Sequence, residues 1–153
     1  MPLSMDELRS KGAVCIENVI QGMNSYHNRT EKLSAAEAED SLRKMWTSGM
    51  ISESFVDFYY FILDEDAKAA VRAVLGEEDL SYLEKKEKEL LGESALAELR
   101  TRKAVIFPLE EQLLKIAVTL NEKEMLFSTF YFIGEETSTW WGNYNQEYII
   151  FLE

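Results

Sequence analysis

The last thirty residues, from Glu124 to Glu153, contain neither lysine nor arginine, yet they hold half of the chain's aromatic side chains. Such a stretch does not stay a solvated tail, because burying each large apolar side chain is worth about 1.5–3 kcal/mol. It is also shorter than the roughly 50 residues at which independent domains begin, so it must pack on the rest of the chain. Its residue types set the form it takes. Met125 to Ile133 is rich in β-forming side chains, Gly134-Glu135-Glu136 supplies a turn, Thr137 to Trp141 pairs back, and Glu147 to Leu152 reads as another strand.

Upstream the patterning is helical. Ser4-Met5-Asp6-Glu7 has the form of a capping box, and Leu8, Cys15, Ile16, Val19, Ile20 and Met23 recur at helical spacing, which predicts a first helix from Met5 to Asn24 with Cys15 on its buried stripe. After a polar break from Ser25 to Leu33, a second box at Ser34-Ala35-Ala36-Glu37 opens a helix that ends near Gly49. Phe55, Phe58, Tyr59 and Ile62 fall on one helical face and predict a third helix from Ser52, although so many aromatic residues suit a strand equally well. Further helices are expected over Ala67 to Leu75, Glu78 to Leu91, Ser94 to Val105 and, past Pro108, Leu109 to Asn121.

The fold class expected is therefore mainly α, a multi-helix body over residues 1–121 closed by a small antiparallel β-meander over 122–153. The two parts form one domain of 153 residues, with helix outweighing strand by at least about three to one and all regular strand after Glu122. A chain of this size buries roughly 70% of its unfolded surface without staples. With one cysteine there is no intrachain disulfide framework. The N-terminus lacks a basic stretch followed by a long apolar run, and no segment reaches the ~20 apolar residues of a membrane span, so the expected setting is the cytoplasm.

Charge narrows the partners. With 28 acidic against 16 basic side chains the formal charge is −12. That balance opposes phosphate backbones, which are bound by clustered Lys and Arg, and it argues against nucleic acid and anionic membrane surfaces. It favours encounter with a basic protein.

Signatures of chemistry are sparse. The seven glycines are scattered, so no phosphate-cradling loop is visible, and Cys15 and His27 stand alone of their types, too few for a zinc site. His27 lies in a polar stretch that reads as an exposed loop. No cofactor or metal is implied. The basic runs Lys85-Lys86-Glu87-Lys88 and Arg100-Thr101-Arg102-Lys103 are set among acids, as on a salt-bridged helix face.

The least ordinary stretch runs from Trp140 to Tyr148. Adjacent tryptophans on a strand point to opposite faces, so one of Trp140 and Trp141 enters the core and the other meets solvent, a loop or a partner. Trp and Tyr are enriched among interface anchors. Over residues 104–153 eight glutamates face only Lys115 and Lys123. The expected partner-binding residues are accordingly Glu135, Glu136, Trp140, Trp141, Tyr144 and Glu147, acting without catalysis on a basic protein partner. In being small, acidic and without a catalytic signature, the chain resembles the bacterial immunity proteins that inhibit nuclease toxins, a likeness of composition carried by no motif. Two other readings compete: a carboxylate-dependent hydrolase built from the same acids beside the aromatic cluster, and a regulatory or structural subunit of a larger assembly. Homo-oligomerisation is left open.

Overall fold

A computed structural model describes residues 2–90, 99, 101 and 105–153. In chain order the elements are α1 (Met5–Ser10), α2 (Val19–Ser25), β1 (His27–Lys32), α3 (Ala35–Trp46), β2 (Ile51–Asp57), a 3₁₀ turn at Tyr60–Ile62, α4 (Glu65–Arg72), α5 (Glu77–Leu90), β3 (Ile106–Pro108), α6 (Glu111–Glu122), β4 (Thr129–Gly134), β5 (Ser138–Gly142), a 3₁₀ turn at Tyr144–Gln146 and β6 (Glu147–Leu152). The strands form one antiparallel sheet in the order β1-β6-β5-β4-β2-β3.

This corrects the mainly α expectation. The fold is α+β around a six-stranded sheet, half of whose strands precede residue 110, so strand is not confined to the region after Glu122. Three physical reasons account for the difference. The segment forming β1, His27 to Lys32, is polar throughout because it is the sheet's edge, paired with β6 over six positions and otherwise open to water. Polar, charged edges block pairing with further strands, and the same polarity hides a strand from any hydrophobic pattern. In β2 the apparent helical stripe is a coincidence of period. Phe55 and Val56 point to opposite faces of the sheet, and Phe58, Tyr60 and Phe61 pack together only because the chain leaves the strand and turns. Finally β3 is three residues long, too short to show any period.

The first helix is also divided. α1 stops at Ser10, and Gly12 adopts a φ of +94°, a conformation that side-chain-bearing residues rarely enter, so the helix cannot run through it. Asn18 then caps α2 by accepting from the Gln21 amide at 2.9 Å. The expected buried stripe is thereby broken. Ile16 is buried, but Cys15 lies half-buried in the connecting segment, and Ile20 and Met23 are 74% and 42% exposed. Both capping boxes are present, at Ser4/Glu7 and Ser34/Glu37. The helix expected over Ser94 to Val105 falls mostly outside the described residues, as does Gly92; Leu99 and Thr101 within it are helical.

Both faces of the sheet are covered. On one side Val56, Phe107, Phe130, Phe132, Trp140, Tyr148 and Ile150 meet α3, α4, α5 and α6 in the main core. On the other side Phe55, Ile106, Tyr131 and Ile133 pack on Leu8 of α1, and Ile149 and Phe151 pack on Val14 and Ile16. A sheet buried on both faces needs near-continuous apolar strands, which is what Thr129–Gly134 and Glu147–Leu152 are. Within this arrangement the N-terminal segment is a thin cover. Between it and the sheet one end is left incompletely filled.

Candidate functional site

The incomplete filling is an open cavity of about 330 Å³ between the N-terminal cover and one end of the sheet. Antiparallel pairing creates it. The last residue of β2, Asp57, lies beside the first of β4, Thr129, which in turn pairs with Trp141 near the end of β5. Strand alternation puts Asp57, Thr129, Tyr131 and Trp141 on the side facing the N-terminal cover. Ile16 and Glu17 close the cavity from that cover, Met5 from the start of α1, and Tyr59 and Phe127 from the loops that leave β2 and enter β4.

Asp57 is the unusual group. It is 7% exposed, and the hydrogen bonds that reach its carboxylate come from Thr129, whose backbone N–H donates at 2.6 Å. No cation pairs with it among the described residues. Burial pushes its pKa up to about 7 against the opposing effect of the Thr129 bonds. The two nearby phenols respond to the same surroundings. Burial and then the Asp57 charge raise Tyr59 to about 12, and the same two causes raise Tyr131. Among the described residues no lysine, arginine or histidine lines the cavity, whereas Asp57 and Glu17 do, together with the rings of Tyr59, Phe127, Tyr131 and Trp141.

A rigid polar lock holds this end in place from the helical side. Asn121 of α6 is 3% exposed; its side-chain amide donates to the Tyr148 hydroxyl at 3.1 Å, and its carbonyl accepts from the Ser128 N–H at 2.9 Å. Gly142 passes directly over it, and a Cβ there would stand 2.8 Å from both polar atoms of Asn121 and from the Ser128 carbonyl. We expect Gly142→Ala to cost roughly 2 kcal/mol through this overpacking, read as a lower urea midpoint, with no relief from a side-chain rotation because backbone is among the atoms struck.

The six residues expected from sequence are distributed over the sheet. Glu135 and Glu136 are exposed on the β4–β5 turn, at the end of β5 opposite the cavity, and the four steps of β5 separate the two ends by roughly 13 Å. Trp140 is buried in the helix-side core, edge-on to Phe132 at 6.3 Å. Trp141 faces the other way and lines the cavity. Tyr144, 59% exposed, lies edge-on to the cavity residue Phe127 at 4.8 Å, in a turn whose Asn145 and Gln146 both have left-handed φ of 60°. Glu147 begins β6 at this same end, half-buried, its carbonyl accepting from the Asn143 N–H at 2.9 Å. The structure thus gathers Trp141, Tyr144 and Glu147 and leaves Glu135 and Glu136 apart, which also separates the carboxylates that a hydrolase at the aromatic cluster would have used together.

Asp57, Tyr59, Glu17, Phe127 and Tyr131 were missed. A signal existed for the first of them, a lone acid inside the run from Phe55 to Leu63, where every other residue is apolar or aromatic. His27 is exposed on edge strand β1, away from the cavity. Among the described residues no group of three His, Cys, Asp or Glu side chains could hold a metal ion, and no helix is long and apolar enough to cross a membrane.

No protein-family model, curated protein or solved structure matches the chain. The compositional likeness to immunity proteins and toxin inhibitors therefore has no relative behind it, and its all-α element is overturned by the sheet.

Proposed function

We propose that this chain is a non-catalytic binding protein that recognises a basic protein through the end of the sheet carrying Asp57, Tyr59, Trp141 and Tyr144. The observation that carries this reading is the lining of the cavity, which among the described residues has two carboxylates and four aromatic rings and no basic side chain. Aromatic rings supply contact area at little conformational cost, and carboxylates draw in positive charge. The overall charge of −12 speeds encounter with such a partner from a distance. A cytoplasmic setting fits the single free thiol, Cys15.

Affinity capture from cell lysate with the chain as bait tests this, with Tyr59→Ala beside the wild type. Tyr59 is 39% exposed, so its truncation costs less stability than that of a fully buried ring. The expected result is capture of a protein of basic isoelectric point, lost in Tyr59→Ala and retained in the double variant Glu135→Lys, Glu136→Lys. Association should slow as salt rises, since screening acts over about 8–10 Å. Recovery of no basic protein, or capture indifferent to Tyr59→Ala, overturns the reading.

One observation favours a second function. A carboxyl with a pKa of about 7 in an open cavity has the protonation behaviour of a general base, so catalysis by Asp57 is the competing proposal. It requires a proton donor among the ligand's own atoms within hydrogen-bond reach of Asp57. A ligand that binds unchanged argues against it.

A further inference from the structure

We infer that the cavity receives the guanidinium of a single arginine side chain of the partner, with the Asp57 carboxylate as its counter-charge and the rings of Tyr59 and Trp141 as its walls; this rests on the protein-binding reading above. Size comes first. At about 330 Å³ the cavity is at the small end of ligand pockets, which span roughly 300–1,000 Å³, and suits a side chain rather than a folded segment. Its charge favours cations over anions. Among the described residues Asp57 is buried without a cationic partner, Glu17 stands at the rim, and no lining residue is basic.

The choice of guanidinium over ammonium follows from the walls. A guanidinium is planar, weakly hydrated and stacks on aromatic faces while donating in parallel to a carboxylate, whereas an ammonium is a compact, strongly hydrated charge that loses more on leaving water. Thr129 fixes one part of the Asp57 carboxylate and leaves lone pairs on it for the fork of donors. The phenols of Tyr59 and Tyr131, both raised by burial, stay neutral across the physiological range and serve as walls and hydrogen-bonding groups, not as competing charges.

Binding of this kind is coupled to the proton on Asp57. The cation binds the ionised carboxylate, so affinity should fall by about tenfold for each pH unit below about 7. Glu17 from the segment before α2, Tyr59 and Tyr131 line the cavity with Asp57, and Cys15 acts on Tyr131; α1, which contributes Met5, carries Asp6, Glu7 and Arg9, with Arg9 held by Asp6 at 3.1 Å. Burial raises the Cys15 thiol, and none of these groups is an imidazole.

The test titrates the isotope-labelled chain with Nα-acetyl-arginine amide, the matching lysine compound and the neutral citrulline compound, following the Thr129 amide and the Trp141 indole N–H by nuclear magnetic resonance. The arginine compound should saturate both signals in the millimolar range, as expected of one isolated side chain worth about 4 kcal/mol. The lysine compound should bind several-fold more weakly and citrulline should leave both signals in place. Asp57→Asn should weaken arginine binding by at least about tenfold. If Asp57→Asn disturbs the whole spectrum, Tyr59→Leu decides, with several-fold weaker binding expected from the lost wall. Equal binding of citrulline, tighter binding of lysine, or unchanged arginine binding in a folded variant overturns the inference. Failure here and failure of the protein-binding reading are distinct. A captured partner lost in Tyr59→Ala, with no arginine response, removes the arginine pocket but keeps the partner; an arginine response with no captured protein does the reverse.

Discussion

Asp57→Asn is expected to stabilise the fold at pH 8 by up to about 4 kcal/mol while weakening its ligand. The sign follows from linkage. The folded-state pKa of Asp57, about 7, lies above its ordinary value of 3.8, so between those two values the native chain holds a proton that the unfolded chain has released. Native stability therefore falls as pH rises from about 4 to about 7 and the loss is complete above it, the reverse of a salt-bridged aspartate. Three pH units of difference correspond to about 4 kcal/mol at 1.36 kcal/mol per unit. Asparagine keeps an oxygen for the Thr129 N–H and carries no charge, so it escapes this penalty. Urea unfolding of both proteins at pH 5 and pH 8 measures it: the wild type should lose stability between the two, and the variant should show a much smaller loss. A wild type more stable at pH 8 than at pH 5, with no gain from asparagine, would show that the carboxylate has a cationic partner or water access that this geometry does not provide. A buried acid whose replacement strengthens the fold is a candidate for a role other than stability.

The adjacent tryptophans should separate stability from recognition. Trp140→Ala is expected to cost about 3–5 kcal/mol, because the ring is 5% exposed, edge-on to Phe132 and bonded to the Ser138 hydroxyl at 3.3 Å in the main core. Its effect on ligand affinity, measured where the variant is still folded, should be small. Trp141→Ala should cost less stability, about 1–2 kcal/mol, since one side of its ring already faces the open cavity, yet it should remove most of the affinity for partner and arginine compound alike. Thermal unfolding and the resonance titration together check the pair. Equal effects of the two substitutions on both measurements would mean that the cavity wall is not a recognition surface.

These neighbours also show how far the residue order alone reaches. That Trp140 and Trp141 oppose one another is dictated by strand alternation, and any reader of the sequence could place them on opposite faces. Which of them lines a cavity depends on the N-terminal cover, whose Ile16 and Glu17 lie more than a hundred positions away. The acids behave similarly. Glu135 and Glu136 look close to Tyr144 and Glu147 in the chain, but β5 carries the two groups to opposite ends of the sheet, so sequence proximity misled where strand direction decided.

What the sequence determined by itself is everything fixed within a few residues of chain. The capping boxes at Ser4/Glu7 and Ser34/Glu37, α3, α4, α5 and α6, and the C-terminal hairpin with β6 all rest on local hydrogen bonds, spacing and apolar runs, and all are where those signals put them. What only the tertiary structure decided is pairing across distance. A polar edge such as β1 becomes a strand because β6 offers it six partners, and Phe55 to Asp57 become a strand because β4 lies beside them with matching register. Locally Asp57 is marked only as a lone acid in an apolar run, which by itself does not place it in a site. That placement comes only when the pairing of β2 with β4 buries it beside Thr129, among the rings of Tyr59, Phe127, Tyr131 and Trp141, where burial lifts its pKa and leaves its carboxylate lining an open cavity.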